Sequence, residues 1–288
     1  MKRLTLTLLL LPLLAGETLA AEDWIGFEEV PPLQAGFDLA VEDGGDLNGG
    51  INLRLALGDS AGIYGDYHVS ELSDEEEEFE RLALVTALWF QLSELVDLEV
   101  SYFFEGNMDE LEKETLGLAL GFNRGNWNFQ LQLEDGELHL FTRGELGDIV
   151  SEVIPEQINS DLDGYGLRLG WQQRSWYWQA SHQRFDYERD LSPLDTNAFV
   201  QFIVKSGVLA QSSLLISKYT TFVVGHADFE NDYSLLLVQE QSAIDDIYSD
   251  SLMVSWRHWT SPNLGYLIAA SFSESEDAGL TLGLQWVM

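Results

Sequence analysis

Between Thr115 and Leu133 the chain alternates apolar and polar residues on both sides of a short turn at Asn123–Asn126. Leu116, Leu118, Leu120 and Phe122 fall on one face of the first half, opposed by Gly117, Ala119 and Gly121. Trp127, Phe129, Leu131 and Leu133 fall on one face of the second, opposed by Asn128, Gln130 and Gln132. A period of two sends successive side chains to opposite sides of an extended strand, so the stretch reads as a β-hairpin with one oily and one wettable face. What covers the oily face depends on how often the unit recurs.

It recurs along most of the chain. Gln34–Glu42, Gly50–Leu57, Gly62–Ser70, Arg81–Leu92 and Asp97–Glu105 precede the hairpin as strands; Gly164–Gln172, Ser175–Tyr187, Tyr219–Ala227, Tyr233–Glu240, Leu252–Trp259, Leu264–Ser273 and Leu280–Met288 follow it. The total is fourteen. It rises to sixteen if Asn197–Lys205 and Val208–Ile216 are also strands, and the pattern admits a range of 12 to 16. Connections alternate between short ones (58–61, 93–96, 123–126) and longer acidic ones (43–48, 71–80, 106–114). Two stretches of about thirty residues, 135–163 and 188–218, read as long loops of related plan, the first with a helix-compatible Ile149–Ile158.

Such a rhythm is expected when odd and even connections lie on opposite sides of a membrane. Hydrophobic residues make up 45% of the chain, yet beyond the N-terminal run none is gathered into a stretch long enough for a spanning helix. The opposing faces carry Gly, Ala, Ser, Asn and Gln with isolated charges, which suits a wet lumen. Aromatic residues gather near strand ends (Trp89, Phe90, Trp127, Trp171, Trp176, Trp178, Trp256, Trp259, Trp286), as membrane-interface girdles require.

Residues 1–20 combine a basic start (Lys2, Arg3), the apolar run Leu4–Leu14 and a small-residue end, the pattern of a secretory signal. Residues 21–33 then form a lead-in and 34–288 a single barrel domain. The absence of cysteine excludes disulfides and thiolate metal sites. A formal net charge of −35 makes nucleic acid an implausible partner.

With the strands, loops and export signal in place, the chain resembles Gram-negative outer-membrane β-barrels of porin-like kind. The last strand, with Leu280, Leu282, Leu284 and Trp286 alternating back from Met288, resembles the signal read by the barrel-assembly machinery, although there the terminal residue is aromatic. The resemblance implies an all-β, antiparallel up-and-down barrel in the outer membrane. Its implied partners are outer-membrane lipid, lipopolysaccharide and the assembly machinery.

Parity assigns the lumen candidates. Arg54 sits between Leu53 and Leu55, and Arg168 between Leu167 and Leu169. On the lipid side either would cost roughly 2 to 4 kcal/mol near the midplane, so both are expected inside. The same reasoning turns Asp38, Asp66, Arg81, Glu99 and Arg257 inward with Gln130 and Gln132, as a lining that sets ion selectivity or as a bracing network. The histidines His68, His139, His182, His226 and His258 are scattered singly, without a metal-binding or metalloprotease spacing. His182 and His258 are expected among interfacial aromatics. His68 with Ser70 is half of a hydrolase pair lacking a third member. The acidic run Asp74–Glu78 lacks the spacing and glycine of a calcium loop.

The leading expectation is a passive channel for small solutes with a mild cation preference, needing no cofactor, metal or catalytic residue. A barrel occluded by its long loops, serving envelope structure or adhesion, is the alternative. An outer-membrane hydrolase is the third.

Overall fold

The computed structural model describes residues 33–42, 47–58, 60–73, 78–107, 111–141, 157–189, 191, 216–243, 248–273 and 278–287. They form fourteen strands: β1 (Leu33–Glu42), β2 (Leu47–Ala56), β3 (Ala61–Ser73), β4 (Glu78–Ser93), β5 (Val96–Asn107), β6 (Leu111–Arg124) and β7 (Trp127–Phe141), followed by β8 (Gln157–Gln173), β9 (Trp176–Tyr187), β10 (Ile216–Ala227), β11 (Asn231–Ser242), β12 (Tyr248–Ser261), β13 (Leu264–Ser273) and β14 (Ala278–Val287). Each strand pairs antiparallel with its sequence neighbours, and β1 pairs with β14 from Gln34↔Val287 to Glu42↔Gly279, closing the sheet into a barrel. Closure leaves no unpaired edge, the condition for a sheet to stand in hydrocarbon.

The usual burial pattern is inverted. On β6, Leu116 and Leu118 are 61% and 46% exposed, whereas Thr115 and Ala119 on either side of them are nearly covered. The same holds on β14, where Leu280, Leu282, Leu284 and Trp286 face out and Thr281, Gln285 and Val287 face in. A contiguous apolar surface on this scale is costly in water and favourable in lipid. Each strand has the ~9–11 residues a tilted crossing needs.

At the short-turn end the outer face carries aromatic clusters. Trp127 meets Trp178 edge-on at 5.8 Å, Trp176 meets His226 at 4.9 Å, and Trp256 packs on Tyr266 at 5.6 Å with His258 beside both. His182 instead pairs with the Thr220 hydroxyl at 2.9 Å. Trp89 does not join the girdle. It alternates with Leu88 and Phe90, both of which face lipid, and so turns inward beneath Arg54. β4 is apolar on both faces, which deprived Trp89 of a parity signal.

The tight turns are short because they reverse the chain within a residue or two of the ladder. Gly125 (φ 61°) and Arg174 (φ 57°) occupy the left-handed region in the β6–β7 and β8–β9 turns, as two-residue hairpin loops demand. The opposite end differs from the sequence expectation. β7 continues to Phe141 and β8 begins at Gln157, so much of the expected loop 135–163 is paired sheet. Leu138 and Leu162 there still bury inward, while the outward positions become Glu137 and Asp161. Past the lipid, the outer face needs no apolar residue, and the alternation changes character. Likewise β2 starts at Leu47, β3 reaches Ser73, β4 starts at Glu78, β6 starts at Leu111 and β10 starts at Ile216. Gln157 and Ile158, read as helix-compatible, open β8. The rest of that segment, the export signal, Asn197–Lys205 and Val208–Leu215 lie outside the described residues. The described strands close the barrel at fourteen.

Candidate functional site: the barrel interior

Four polar groups and one apolar patch stand out on the inner wall among the described residues. Near the short-turn end, Tyr64 of β3 donates its hydroxyl to Glu99 of β5 at 3.1 Å. Arg168 of β8 and Arg54 of β2 are both close enough to attract the Glu99 carboxylate. The Arg54 guanidinium carbon lies 5.5 Å from the centre of the Trp89 ring, so this cation is held by an aromatic face as well as by charge. A carboxylate between two guanidinium groups compensates charges that would otherwise be costly away from water.

The second group lies further up the wall on β1 and β3. His68 Nε2 is 2.6 Å from Asp66 Oδ1, and its Nδ1 is 3.9 Å from Asp38 Oδ2. The imidazole lies over Gly50 of the intervening β2, where a Cβ atom would come within 2.1 Å of His68 Cε1. Glycine is therefore what lets the ring lie across the strand.

Toward the long-loop end, Glu134 accepts hydrogen bonds from Gln132 (2.7 Å) and Gln183 (2.5 Å) and attracts Lys113. The Lys113 ammonium stands 4.1 Å from the centre of the Phe185 ring and 5.9 Å from that of Phe103. The fourth group, on β9, β11 and β12, joins the Tyr177 hydroxyl to Asp232 at 3.0 Å, with Arg257 3.8 Å from the same carboxylate. Between these groups β10–β13 present a buried apolar patch of Val223, Leu236, Val238, Met253 and Ala269.

Asp38, Arg54, Asp66, Glu99, Gln130, Gln132, Arg168 and Arg257 all share the inward phase of their strands. Arg54, Glu99 and Arg168 come together; Asp38 and Asp66 meet at His68; Arg257 stands apart with Asp232. Arg81 pairs with Ser70 in the β3–β4 ladder. Lys113 and Glu134 were not among the sequence candidates, because the acidic neighbourhood of Lys113 read as a loop. The signal was present in the unbroken alternation Lys113, Thr115, Gly117, Ala119. The inner patch of β10–β13 left no such trace, since Tyr219–Ala227 is apolar on both faces.

Outside, beyond the apolar band, the long-loop end of β6–β9 is acidic. Glu114, Glu137 and Asp161 are direct register partners across β6, β7 and β8, and Asp135, Asp163 and Asp186 form the next row across β7, β8 and β9. His139 answers part of this charge, 3.2 Å from Glu137 and 3.0 Å from Asn159. Among the described residues no group of three or more histidine and carboxylate side chains converges on a metal position.

A closed antiparallel barrel, oily outside and charged inside, with tight turns at one end and longer connections at the other, has the architecture of an outer-membrane β-barrel. The chain is similar to the CymD monoaromatic hydrocarbon channel, with TM-score 0.50 and 8% identity over 89% of this chain and 88% of that one. It is also similar to the outer membrane protein Omp33 of Acinetobacter baumannii (TM-score 0.48, 6% identity, 90% and 98% covered) and to the KdgM porin (0.47, 6%, 88% and 99%). No family model and no curated protein matches the sequence.

Proposed function

We propose that this protein is a passive outer-membrane channel for small solutes with a mild preference for cations. The observation that carries the reading is the charge balance of the inner wall. Among the described inward positions, Asp38, Asp66, Asp97, Glu99, Glu105, Glu134, Asp232 and Glu240 are acidic, against the basic Arg54, Lys113, Arg168 and Arg257. Low-dielectric walls focus the field of such an excess along the axis and raise the local concentration of cations. No covalent step is required by this reading.

The test is conductance in a planar bilayer. Refolded protein should give discrete steps, with a reversal potential in a salt gradient displaced toward the cation side. Silence at all voltages would sink the channel reading.

One observation favours the occluded alternative: many inward side chains are deeply covered, Glu105 and Leu236 to 1% exposure. Deletions within 142–156 or 192–215 separate the two readings, because only an occluded barrel gains conductance from them. On this reading the acidic rows on β6–β9 reach the level of the outer-leaflet phosphates. Under this reading divalent cations bridge them to lipopolysaccharide, and the export signal and final strand address the chain to the assembly machinery.

A further inference from the structure

On the β6–β9 part of the inner wall, partly exposed amides outnumber the partly exposed charges, Glu134 and Arg168. On β6–β9 the side chains left partly exposed to the lumen are largely amides, among them Asn128, Gln130 and Gln132 of β7 and Gln179 and Gln183 of β9. Glycines separate them in register. Gly166 lies between Gln132 and Gln183, Gly170 between Asn128 and Gln179, and Gly121 faces Gln130. The result is a checkerboard in which each amide borders a position without a side chain.

That pattern has a chemical meaning. A primary amide carries two N–H donors and a carbonyl acceptor, with no charge. Gln132 and Gln183 each donate one bond to Glu134, and Asn128 donates to Asn123 at 2.6 Å, so one end of each of these side chains is anchored. The amide carbonyls and second N–H groups retain the capacity to bond a solute, and the glycines leave shallow grooves between them. Amides two residues apart on a strand are ~7 Å apart, and those flanking a glycine strand are ~10 Å apart. Such a grid can pass a molecule along itself by exchanging hydrogen bonds, if the molecule offers donors and acceptors on many sides.

We infer that the β6–β9 wall is a hydrogen-bonding track for neutral polyhydroxylated solutes of sugar type. This deepens the channel reading and rests on it. An ion gains little from uncharged amides, and an apolar solute would leave them unpaired, at a cost in affinity. A polyol replaces its water bonds one for one.

The test uses the full-length protein in liposomes, with arabinose and glycine betaine as probes. Betaine is smaller but has no hydrogen-bond donor. A simple sieve passes betaine faster; the track passes arabinose faster. In Gln130→Leu/Gln132→Leu the arabinose-to-betaine ratio should fall about tenfold, the equivalent of one to two lost hydrogen bonds. A second variant guards against misfolding. At Gly166 an added Cβ would lie 3.5 Å from both Gln132 and Gln183, and at Gly170 no atom comes nearer than 3.8 Å, so Gly166→Ala/Gly170→Ala fits the existing wall. It should fill the grooves and lower the same ratio. A wild-type ratio below one, or a ratio unmoved in both variants, overturns the track while leaving the channel standing. Absence of any permeation, together with absence of salt conductance, overturns both.

Discussion

Tyr64 reaches across β4 to Glu99, joining β3 to β5 by a 3.1 Å hydrogen bond inside the barrel. The bond fixes the Glu99 carboxylate where Arg54 and Arg168 both need it. Glu99→Ala should therefore remove the carboxylate that both cations face and cost about 2 kcal/mol of stability, read as a lower urea midpoint in lipid vesicles. The same variant should move the reversal potential toward anions. Tyr64→Phe, which removes one hydroxyl and no charge, should cost less and leave ion preference unchanged.

Glu114, Glu137 and Asp161 present like charges to one another directly across two ladders. Directly opposed like charges destabilise a sheet, so Glu137→Gln should raise stability by about 0.2 to 1 kcal/mol in low salt. The gain should shrink in 1 M salt, where screening reaches within ~3 Å. Thermal unfolding at the two ionic strengths measures it.

Gly50 lies beneath the His68 ring, where a methyl group would come within 2.1 Å of a ring carbon. Gly50→Ala should cost about 1 to 3 kcal/mol, because the imidazole must leave its place between Asp66 and Asp38. Gly166→Ala, with open contacts at 3.5 Å, should cost nothing measurable. Comparing the two urea midpoints isolates the close approach from the general effect of removing a strand glycine.

Leu118 faces lipid in the middle of the β6 apolar run. Leu118→Arg should cost about 2 to 4 kcal/mol in vesicles. The penalty should be much smaller for Leu57→Arg, in the short turn after β2. Equal penalties at the two sites would contradict the placement of the lipid band.

Asp228, in the turn between β10 and β11, accepts the backbone N–H groups of Glu230 (2.9 Å) and Asn231 (2.7 Å). These bonds favour the ionised form and hold its carboxyl below the usual aspartate range. The folded value being the lower one, the stabilisation is present above the ordinary aspartate pKa and disappears as pH falls through the depressed one. Asp228→Ala should thus lower stability at neutral pH and converge with wild type in acid, as followed by unfolding across pH 2 to 7.

The barrel was legible because one medium imposes one rule: nearly every outward residue between the interfaces is apolar, so alternation survives in strand after strand. Strand ends were less legible for the same reason. Above Leu116, Leu133 and Tyr165 the outer face leaves lipid, and the acids that replace leucine look like loop. Lumen candidates such as Arg54 and Arg168 could be placed by parity because apolar neighbours flank them. Trp89 and Val223 sit in segments apolar on both faces, where composition carries no direction. Contacts such as Lys113 on Phe185 join strands far apart in the chain, and only the closed register brings them together.

The pairing of β1 with β14 stands apart from the other thirteen ladders, all of which join consecutive strands. Local hairpins can form as soon as each turn is made, but the last seam must bring together residues separated by nearly the whole chain, the slowest kind of contact to find. Until that seam zips, both terminal strands are open templates for another molecule. The same seam, once formed, locks the assembled ring: no strand can peel away without breaking two ladders at once. A covalent clasp across Ala40 and Thr281, opposed in register, should slow unfolding far more than an equivalent clasp within any hairpin.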